Sequence, residues 1–253
     1  MKRMFSAAIA TITMAAAGPA LALNICVEGA YPPFSETSPD GSLIGFDIDM
    51  VNALCAEMGE TCEMMKTDWD GIIPALLERK CDAIVASMSI TPERMEVIDF
   101  TKKYYQTPAG LVAAADADFD GTAEGLAGKV IGVQRGTIHE AYATQYFPDA
   151  EIRGYGSQDE AYLDLIAGRL DGVMADTIAI SEGFLKTEQG EGVAFLRDDY
   201  YDAAIHGDGA GIGVRKEDTE LRDSLTAAIE AIRASGTYDE IASQYFDFDV
   251  YGE

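Results

Sequence analysis

The chain has 253 residues, of which 48% are hydrophobic and 25% charged, a composition typical of a globular protein and not of a disordered or fibrous one. Its 44 acidic residues outnumber its 18 basic residues, which gives a formal charge of −26. Such a charge repels phosphate groups, so we expect no nucleic-acid partner and no binding to anionic lipid. The charge favours solubility, and it can also attract cations.

The first 22 residues have the three parts of a secretory signal peptide. Lys2 and Arg3 form a positive start, residues 5–17 are almost entirely apolar, and Ala20-Leu21-Ala22 fits a cleavage site. The apolar run is too short for a stable membrane span. We therefore predict that residues 1–22 are a signal peptide and that the mature protein is exported to an oxidising compartment.

Short apolar runs alternate with helical patterns along the rest of the chain. Strands are predicted over residues 24–28, 62–65, 81–88, 129–133 and 170–175. Helices are predicted from Phe46 to a stop at Gly59, over residues 68–79, from a cap at Thr91, and up to a stop at Gly236. Capping boxes predict further helix starts at Thr137, Ser157 and Thr237. This alternation is typical of an α/β fold with parallel sheets and helices on both faces.

Two segments have related patterns, residues 76–86 and residues 165–175. Each contains a helix end, a basic residue, an Asp and then an apolar strand. We interpret this internal similarity as two α/β lobes, each with its own sheet.

The exported chain has four cysteines, and an oxidising compartment allows them to form disulfides. Cys55 and Cys62 lie on either side of a predicted helix end, so a disulfide between the helix and the next strand fits their spacing. Cys26 and Cys81 lie in predicted core strands. We expect them to be buried thiols that are not bridged to the first pair.

The metal-binding residue types are sparse and badly spaced for a metal site. The cysteines form no paired C-x-x-C units, and the two histidines, His139 and His206, are far apart in sequence. We expect no metal and no cofactor.

Several motifs resemble those of the extracellular solute-binding proteins that serve polar amino-acid ABC transporters. Gly45-Phe46-Asp47-Ile48-Asp49-Met50 resembles the family signature, and Ser89-Ile90-Thr91-Pro92-Glu93-Arg94 resembles its loop for the ligand carboxylate. Residues 168–171, 181–186 and 245–252 are similar to the lysine/arginine/ornithine- and histidine-binding branch. The resemblance runs from Asn24 to Glu253.

This resemblance implies a two-lobed periplasmic binding protein fold of type II, which closes on its ligand like a trap. Each lobe would have a mainly parallel sheet flanked by helices, and two crossing strands would join the lobes. Carried over, the first lobe comprises residues 23–107 and 208–253, and the second comprises residues 108–207.

A free amino acid presents a carboxylate, an ammonium group and a side chain, and the sequence offers partners for the first two. Arg94 can bind the carboxylate as a planar fork, supported by backbone donors at Ser89 and Thr137. Asp176 ends an apolar strand, where open α/β sheets bind ligands, and suits the ammonium group. Ser87 lies at the matching strand end of the other lobe.

The resemblance also suggests residues that contact the ligand side chain. Tyr31 and Trp69 match an aromatic pair that sandwiches the aliphatic stem of the ligand. Glu28 follows the first strand, where this branch commonly has Asp, and suits a distal cation. Three positions depart from the family pattern: Ala86, Gln134 and Ile138. These departures imply that the ligand specificity of the pocket differs from that of relatives.

We therefore predict the binding component of an ABC transporter for a basic amino acid, arginine first, then lysine, ornithine or histidine. The protein would act as a monomer and deliver its ligand to a membrane permease. An opine built on arginine is an alternative ligand, since Ala86 gives slight extra room. An enzyme on the same fold would need a free acid or base, for which Glu28 is the only candidate. A sensor domain would need a separate signalling partner. We expect no enzymatic activity.

Overall fold

A computed structural model describes residues 22–252 of the chain. The predicted signal peptide lies outside the described residues, except for Ala22. Two five-stranded sheets with flanking helices form the two lobes of the predicted α/β fold. Among the helices of residues 22–252, none has the length and hydrophobicity that a bilayer crossing requires.

The first sheet is built from both ends of the described chain. Its strands are β1 (Leu23–Val27), β5 (Cys62–Lys66), β6 (Ala83–Ile84), β7 (Asp99–Tyr105) and β13 (Ala210–Val214). Their order across the sheet is β5-β1-β6-β13-β7. A small antiparallel sheet follows β1 and consists of β2 (Ala30–Tyr31), β3 (Ser35–Thr37) and β4 (Leu43–Ile44).

Five helices belong to this part of the chain: α1 (Phe46–Met58), α2 (Trp69–Leu77), α3 (Pro92–Met95), α7 (Thr219–Ser235) and α8 (Thr237–Ala242). Buried side chains of α1 and α7 share one core cluster, including Phe46, Leu54, Leu225 and Ile229. Because α7 lies near the end of the chain, this packing joins distant parts of the sequence in one lobe.

The second sheet contains β8 (Ala109–Ala114), β9 (Val130–Gln134), β10 (Glu151–Tyr155), β11 (Gly172–Asp176) and β12 (Val193–Tyr200), in the order β10-β9-β11-β8-β12. Its helices are α4 (Ile138–Tyr146), α5 (Gln158–Ile166) and α6 (Ala203–His206). A π-helical segment, Ala179–Leu185, and a 3₁₀ turn, Glu188–Gly190, connect β11 to β12.

Both sheets are mixed, which corrects the expectation of mainly parallel sheets. In each sheet, two neighbouring pairs of strands are parallel and two are antiparallel. The reason lies in the crossings between the lobes. Strand β8 starts beside the end of β11, with Ala109 opposite Asp176, so it must run the opposite way. Strand β13 likewise returns from the second lobe and runs antiparallel to β6.

The internal sequence similarity corresponds to equivalent places in the two sheets, since β6 and β11 are both central strands. The aspartate before each strand makes the same contacts. The Asp82 carboxylate accepts a hydrogen bond from the Asn24 N–H at 3.0 Å, and the Asp171 carboxylate accepts one from the Val130 N–H at 2.8 Å. Each aspartate therefore joins the start of a central strand to its parallel neighbour.

Most predicted helix ends agree with the structure, but one capping box does not. Gly59 ends α1 with a left-handed φ of 69°, and Thr137 caps α4 by accepting a hydrogen bond from the Glu140 N–H. The box predicted at Thr237 is wrong. Gly236 follows α7 and directly precedes α8, so Thr237 is already the first helical residue and caps nothing.

The structure contains two disulfides. Cys55 and Cys62 join the last turn of α1 to β5, as predicted. Cys26 and Cys81 are also bridged, with Cα atoms 5.7 Å apart, so the expectation of buried thiols was wrong. Both residues are buried as expected, but β1 and β6 are adjacent strands, and this neighbourhood brings the two sulfur atoms together.

Candidate functional site

A cleft lies between the edges of the two sheets. All eight predicted ligand-binding residues line it: Glu28, Tyr31, Trp69, Ser87, Ser89, Arg94, Thr137 and Asp176. Four further residues complete its wall: Ala86, Gln134, Ile138 and His139. Residues that are up to about 150 positions apart in sequence therefore converge on one space, because the strand ends of both lobes face it.

Arg94 is held at the cleft by the start of α3. The Thr91 hydroxyl accepts a hydrogen bond from the Arg94 N–H at 3.3 Å and so fixes the first turn. The guanidinium donates to the Ser89 carbonyl at 2.9 Å and to the Gly136 carbonyl at 3.1 Å, and lies 5.3 Å from the Trp69 ring centre. Burial lowers the pKa of Arg94 to about 10, so the side chain is a cation at neutral pH.

Asp176 is the buried carboxylate at the end of β11. The Tyr31 hydroxyl donates to its Oδ2 at 2.8 Å, and the Asp176 N–H donates to the same hydroxyl at 3.3 Å. Because Tyr31 belongs to the first lobe, these bonds cross the cleft. Burial also raises the pKa of Tyr31 well above its ordinary value, which keeps this hydroxyl a donor.

Glu28 directly follows β1 and is only 4% exposed. Its Oε1 accepts a hydrogen bond from Gln134 Nε2 at 2.6 Å, again across the cleft. Burial raises the pKa of Glu28 from 4.5 to about 7, and the bond from Gln134 opposes part of this rise. The lobes thus enclose a second carboxylate besides Asp176.

A second, small cavity adjoins the first. Ser87, Ser89, Ile138 and Asp176 line both cavities, whereas Glu28 lines only the first. The two carboxylates therefore occupy different parts of the site, with Asp176 on the side of the second cavity.

His139 is a residue of the cleft that the sequence reasoning missed. It lies in the first turn of α4, two positions after Thr137, and is 3% exposed. Its Nε2 lies 3.7 Å from Asp176 Oδ1, and its Nδ1 has no hydrogen-bond partner within residues 22–252. Its position in the sequence could have identified it. When the start of a helix lines a site, the side chains of the whole first turn lie near that site.

Gln134 was noted in the sequence only as a departure from relatives. It ends β9 next to the end of β11, so it reaches the same sheet edge as Asp176. A polar residue that ends a buried strand is the pattern that identified Asp176, and the same pattern would have added Gln134 to the site.

A family model of known sequences matches residues 23–248 and describes bacterial extracellular solute-binding proteins, family 3. The chain belongs to this family. Its relatives include the L-arginine-binding protein of Pseudomonas aeruginosa, which is 49% identical over 91% of this chain and 90% of that protein. The lysine/arginine/ornithine-binding periplasmic protein of Escherichia coli is 40% identical over 91% of this chain and 90% of its own length.

Solved structures of this family have the same fold. An arginine-specific periplasmic binding protein of Salmonella typhimurium superposes with a TM-score of 0.83 at 31% identity, over 89% of this chain and 99% of that chain. An ancestral amino-acid-binding protein, described as a precursor of cyclohexadienyl dehydratase, superposes with a TM-score of 0.78 at 30% identity, over 89% and 95%. The chain is accordingly a two-lobed, exported solute-binding protein.

Proposed function

We propose that the protein binds a basic amino acid, arginine foremost, in the cleft and delivers it to the permease of an ABC transporter. The observation that supports this proposal is the set of charges in the cleft, two buried carboxylates and one guanidinium. Arginine carries the opposite set, two cations and one carboxylate. A neutral amino acid would leave one buried carboxylate without a partner, which is costly.

The three charges are given separate roles. Arg94 binds the ligand carboxylate, together with backbone donors at Ser89 and Thr137. Asp176 binds the α-ammonium group. Glu28 faces the distal guanidinium or ammonium of the ligand, because it lies on the side of the cleft away from the second cavity.

The aromatic side chains suit the part of the ligand between its charged ends. The Arg94 guanidinium carbon lies 5.3 Å from the centre of the Trp69 ring, and an aromatic face that accepts one cation can also cover the stem and the cation of arginine. Tyr31 adds a second ring beside Asp176. Lysine, ornithine and histidine carry a similar set of charges and follow arginine in the expected order.

The ends of several strands and helices support the proposed lobe bounds. Strand β7 ends at Tyr105 and β8 begins at Ala109, whereas α6 ends at His206 and β13 begins at Ala210. These ends support crossings near residues 105–109 and 204–209. We therefore assign residues 23–107 and 208–253 to the first lobe and residues 108–207 to the second, and we expect a monomer.

We propose that the protein is a carrier and not an enzyme. Named relatives in this family are binding proteins, although one structural neighbour is described as the precursor of an enzyme. Glu28, the candidate acid or base, accepts a hydrogen bond from Gln134 and is assigned to ligand recognition. Arginine incubated with the protein should be recovered unchanged by NMR, and any product would contradict this assignment.

An opine built on arginine is the second candidate ligand, and the position of the small second cavity beside Asp176 supports it. This cavity opens from the walls that Ser87, Ser89 and Asp176 share with the main cleft. A substituent on the α-amino group of arginine would extend in that direction. The extra carboxylate of such a ligand would then approach His206, which lines the second cavity and whose buried Nε2 lacks a partner within residues 22–252.

A thermal-shift screen tests the proposal, because a ligand that binds only the folded protein raises the melting temperature. The protein is first unfolded and refolded to remove copurified ligand, and is then mixed with each amino acid, ornithine and an arginine-derived opine. Arginine should give the largest shift among the amino acids. A larger shift with glutamate or glutamine would contradict the proposal, and a larger shift with the opine would favour the second candidate.

A further inference from the structure

Asp47, in the first turn of α1, is a completely buried carboxylate. No lysine, arginine or histidine within residues 22–252 forms an ion pair with it. Instead it accepts hydrogen bonds from two hydroxyl groups, Tyr104 at 2.8 Å and Ser87 at 3.0 Å. Burial raises its pKa from 3.8 to about 7. A buried charge without a counterion is unfavourable, so a hydrophobic residue would serve the core better.

The second partner of Asp47, Ser87, lines the proposed ligand site. Its backbone has a φ of 52°, an uncommon conformation for a residue other than glycine. Its N–H donates to the Tyr104 hydroxyl at 3.1 Å, and its own hydroxyl donates to Asp47. Tyr104 also donates to Asp47, so the three residues form a closed network.

This network uses both hydrogen-bond donors of Ser87. A serine has two hydrogen-bond donors, its backbone N–H and its hydroxyl O–H. Its remaining hydrogen-bonding capacity, the lone pairs of the hydroxyl and carbonyl oxygens, can only accept. With both donors turned away, Ser87 can offer the cleft only acceptor atoms. An acceptor suits an ammonium group and repels a carboxylate.

We propose that Asp47 is a positioning residue that orients the Ser87 hydroxyl so that Ser87 accepts a hydrogen bond from the α-ammonium group of the ligand. The inference rests on the proposed function, which gives Asp176 the same ammonium group. Asp176 belongs to the second sheet and Ser87 follows a strand of the first. The ammonium group would therefore bridge the two lobes, and Asp47 would contribute to ligand binding without touching the ligand.

The substitution Asp47→Asn keeps the shape of the side chain but replaces one acceptor oxygen by an NH₂ donor. Whichever way the amide faces, either Tyr104 or Ser87 loses its acceptor. If Ser87 loses it, its hydroxyl hydrogen turns towards the cleft and opposes the ammonium group. If Tyr104 loses it, the support of the Ser87 N–H is disturbed, and in both cases the negative charge is lost.

The decisive measurement compares arginine with 5-guanidinopentanoate, which is arginine without its α-amino group. Calorimetry gives the ratio of the two affinities for the wild-type protein and for Asp47→Asn. This ratio should fall about tenfold or more in the variant, the effect of one charge-assisted hydrogen bond. A merely structural role would weaken both ligands alike and leave the ratio unchanged, which would overturn the inference.

Asp49→Asn is the matched control. Asp49 lies on the same helix, and its carboxylate accepts a hydrogen bond from Tyr245 at 2.6 Å, away from Ser87. Its ratio should equal that of the wild-type protein, and a fall as large as that of Asp47→Asn would contradict a specific role for Asp47. If the wild-type protein fails to bind arginine, the proposed function and this inference fall together. If it binds arginine but Asp47→Asn keeps the wild-type ratio, only the inference fails.

Ser87→Ala provides a second arm that leaves the buried carboxylate in place. It should lower the ratio about tenfold by itself, and adding Asp47→Asn to it should then change the ratio no further. Thermal unfolding checks that each variant is folded. If Asp47→Asn does not fold, an unchanged ratio in Ser87→Ala is enough to overturn the inference.

Discussion

The raised pKa of Glu28 leads to the sharpest prediction, which concerns Glu28→Gln. Glutamine keeps an acceptor for Gln134 Nε2, now 2.6 Å from Glu28 Oε1, and removes only the charge. The folded ligand-free protein holds the proton of Glu28 more tightly than the unfolded chain, since its pKa is about 7 instead of 4.5. Ionised Glu28 therefore destabilises the ligand-free protein.

The size and the sign of this effect follow from the two pKa values. At 1.36 kcal/mol per unit of pKa, the penalty reaches about 3 kcal/mol. It is absent below about pH 4.5, where both states carry the proton, grows as the pH rises to about 7, and is complete above that. Glu28→Gln removes the penalty, so the variant should be more stable than the wild-type protein near pH 8 and equally stable near pH 4.

Glu28→Gln should weaken the binding of basic ligands although it stabilises the ligand-free protein. Arginine and lysine lose a charge-assisted hydrogen bond in Glu28→Gln, at about 1–3 kcal/mol, whereas glutamine should lose less or gain relative affinity. Because the cation of the ligand favours ionised Glu28, wild-type binding of arginine should also release a proton near pH 6.5. Calorimetry in buffers of different ionisation enthalpy detects this release, which should be smaller in the variant.

Two measurements test this prediction. Denaturant unfolding of the ligand-free protein at the two pH values measures the stability change, and calorimetry with arginine and glutamine measures the affinity ratio. Glu36→Gln is the control, since Glu36 is an exposed carboxylate on the nearby strand β3. An unchanged basic-to-neutral affinity ratio in Glu28→Gln would refute Glu28 as the selector. Equal gains in stability near pH 4 and pH 8 would refute the assigned burial penalty.

Two further sites give predictions. Arg94→Ala should weaken every amino-acid ligand by several kcal/mol, and Arg94→Lys should restore little because lysine lacks the planar fork; near-native affinity of either variant by calorimetry would end the assignment. Peptide mapping without reduction should find Cys26 linked to Cys81 and Cys55 linked to Cys62. Removing the first disulfide should cost about 4 kcal/mol and removing the second about 2 kcal/mol in unfolding experiments, because they close loops of 55 and 7 residues. A smaller loss for the longer loop would contradict the loop-entropy argument.

The parts of the site that could be predicted are those fixed by local sequence. Asp176 and Glu28 each stand at the end of an apolar strand, one in each sheet, and ligands of open α/β sheets bind at such carboxyl ends. Arg94 follows a helix cap that is readable from Thr91 and Pro92. Their convergence on one cleft needed only the two-lobed fold.

The parts that could not be predicted depend on neighbours that are distant in sequence. The Cys26–Cys81 disulfide requires β1 and β6 to be adjacent, and the directions of β8 and β13 depend on where the chain crosses between lobes. Asp47 was recognised only as part of a motif, because its hydroxyl partners lie 40 and 57 residues away. Local patterns therefore identified side chains, whereas their partners came from the tertiary structure.

Some contacts across the cleft affect which ligand is preferred, whereas another affects only the overall affinity. A ligand must displace the Gln134 bond to Glu28 and the Tyr31 bond to Asp176, so these contacts compete with it. The exposed Arg135–Asp70 ion pair, 2.8 Å long, also joins the lobes, but neither residue lines the proposed ligand cleft. If the lobes open and close around the ligand, as the family resemblance implies, this ion pair favours the closed form whichever ligand is present. Its loss would shift the open–closed equilibrium and lower all affinities by one common factor, at most about fivefold for an exposed pair. Natural variation at Arg135 could therefore adjust the concentration range in which the transporter works while its preference among amino acids stays the same.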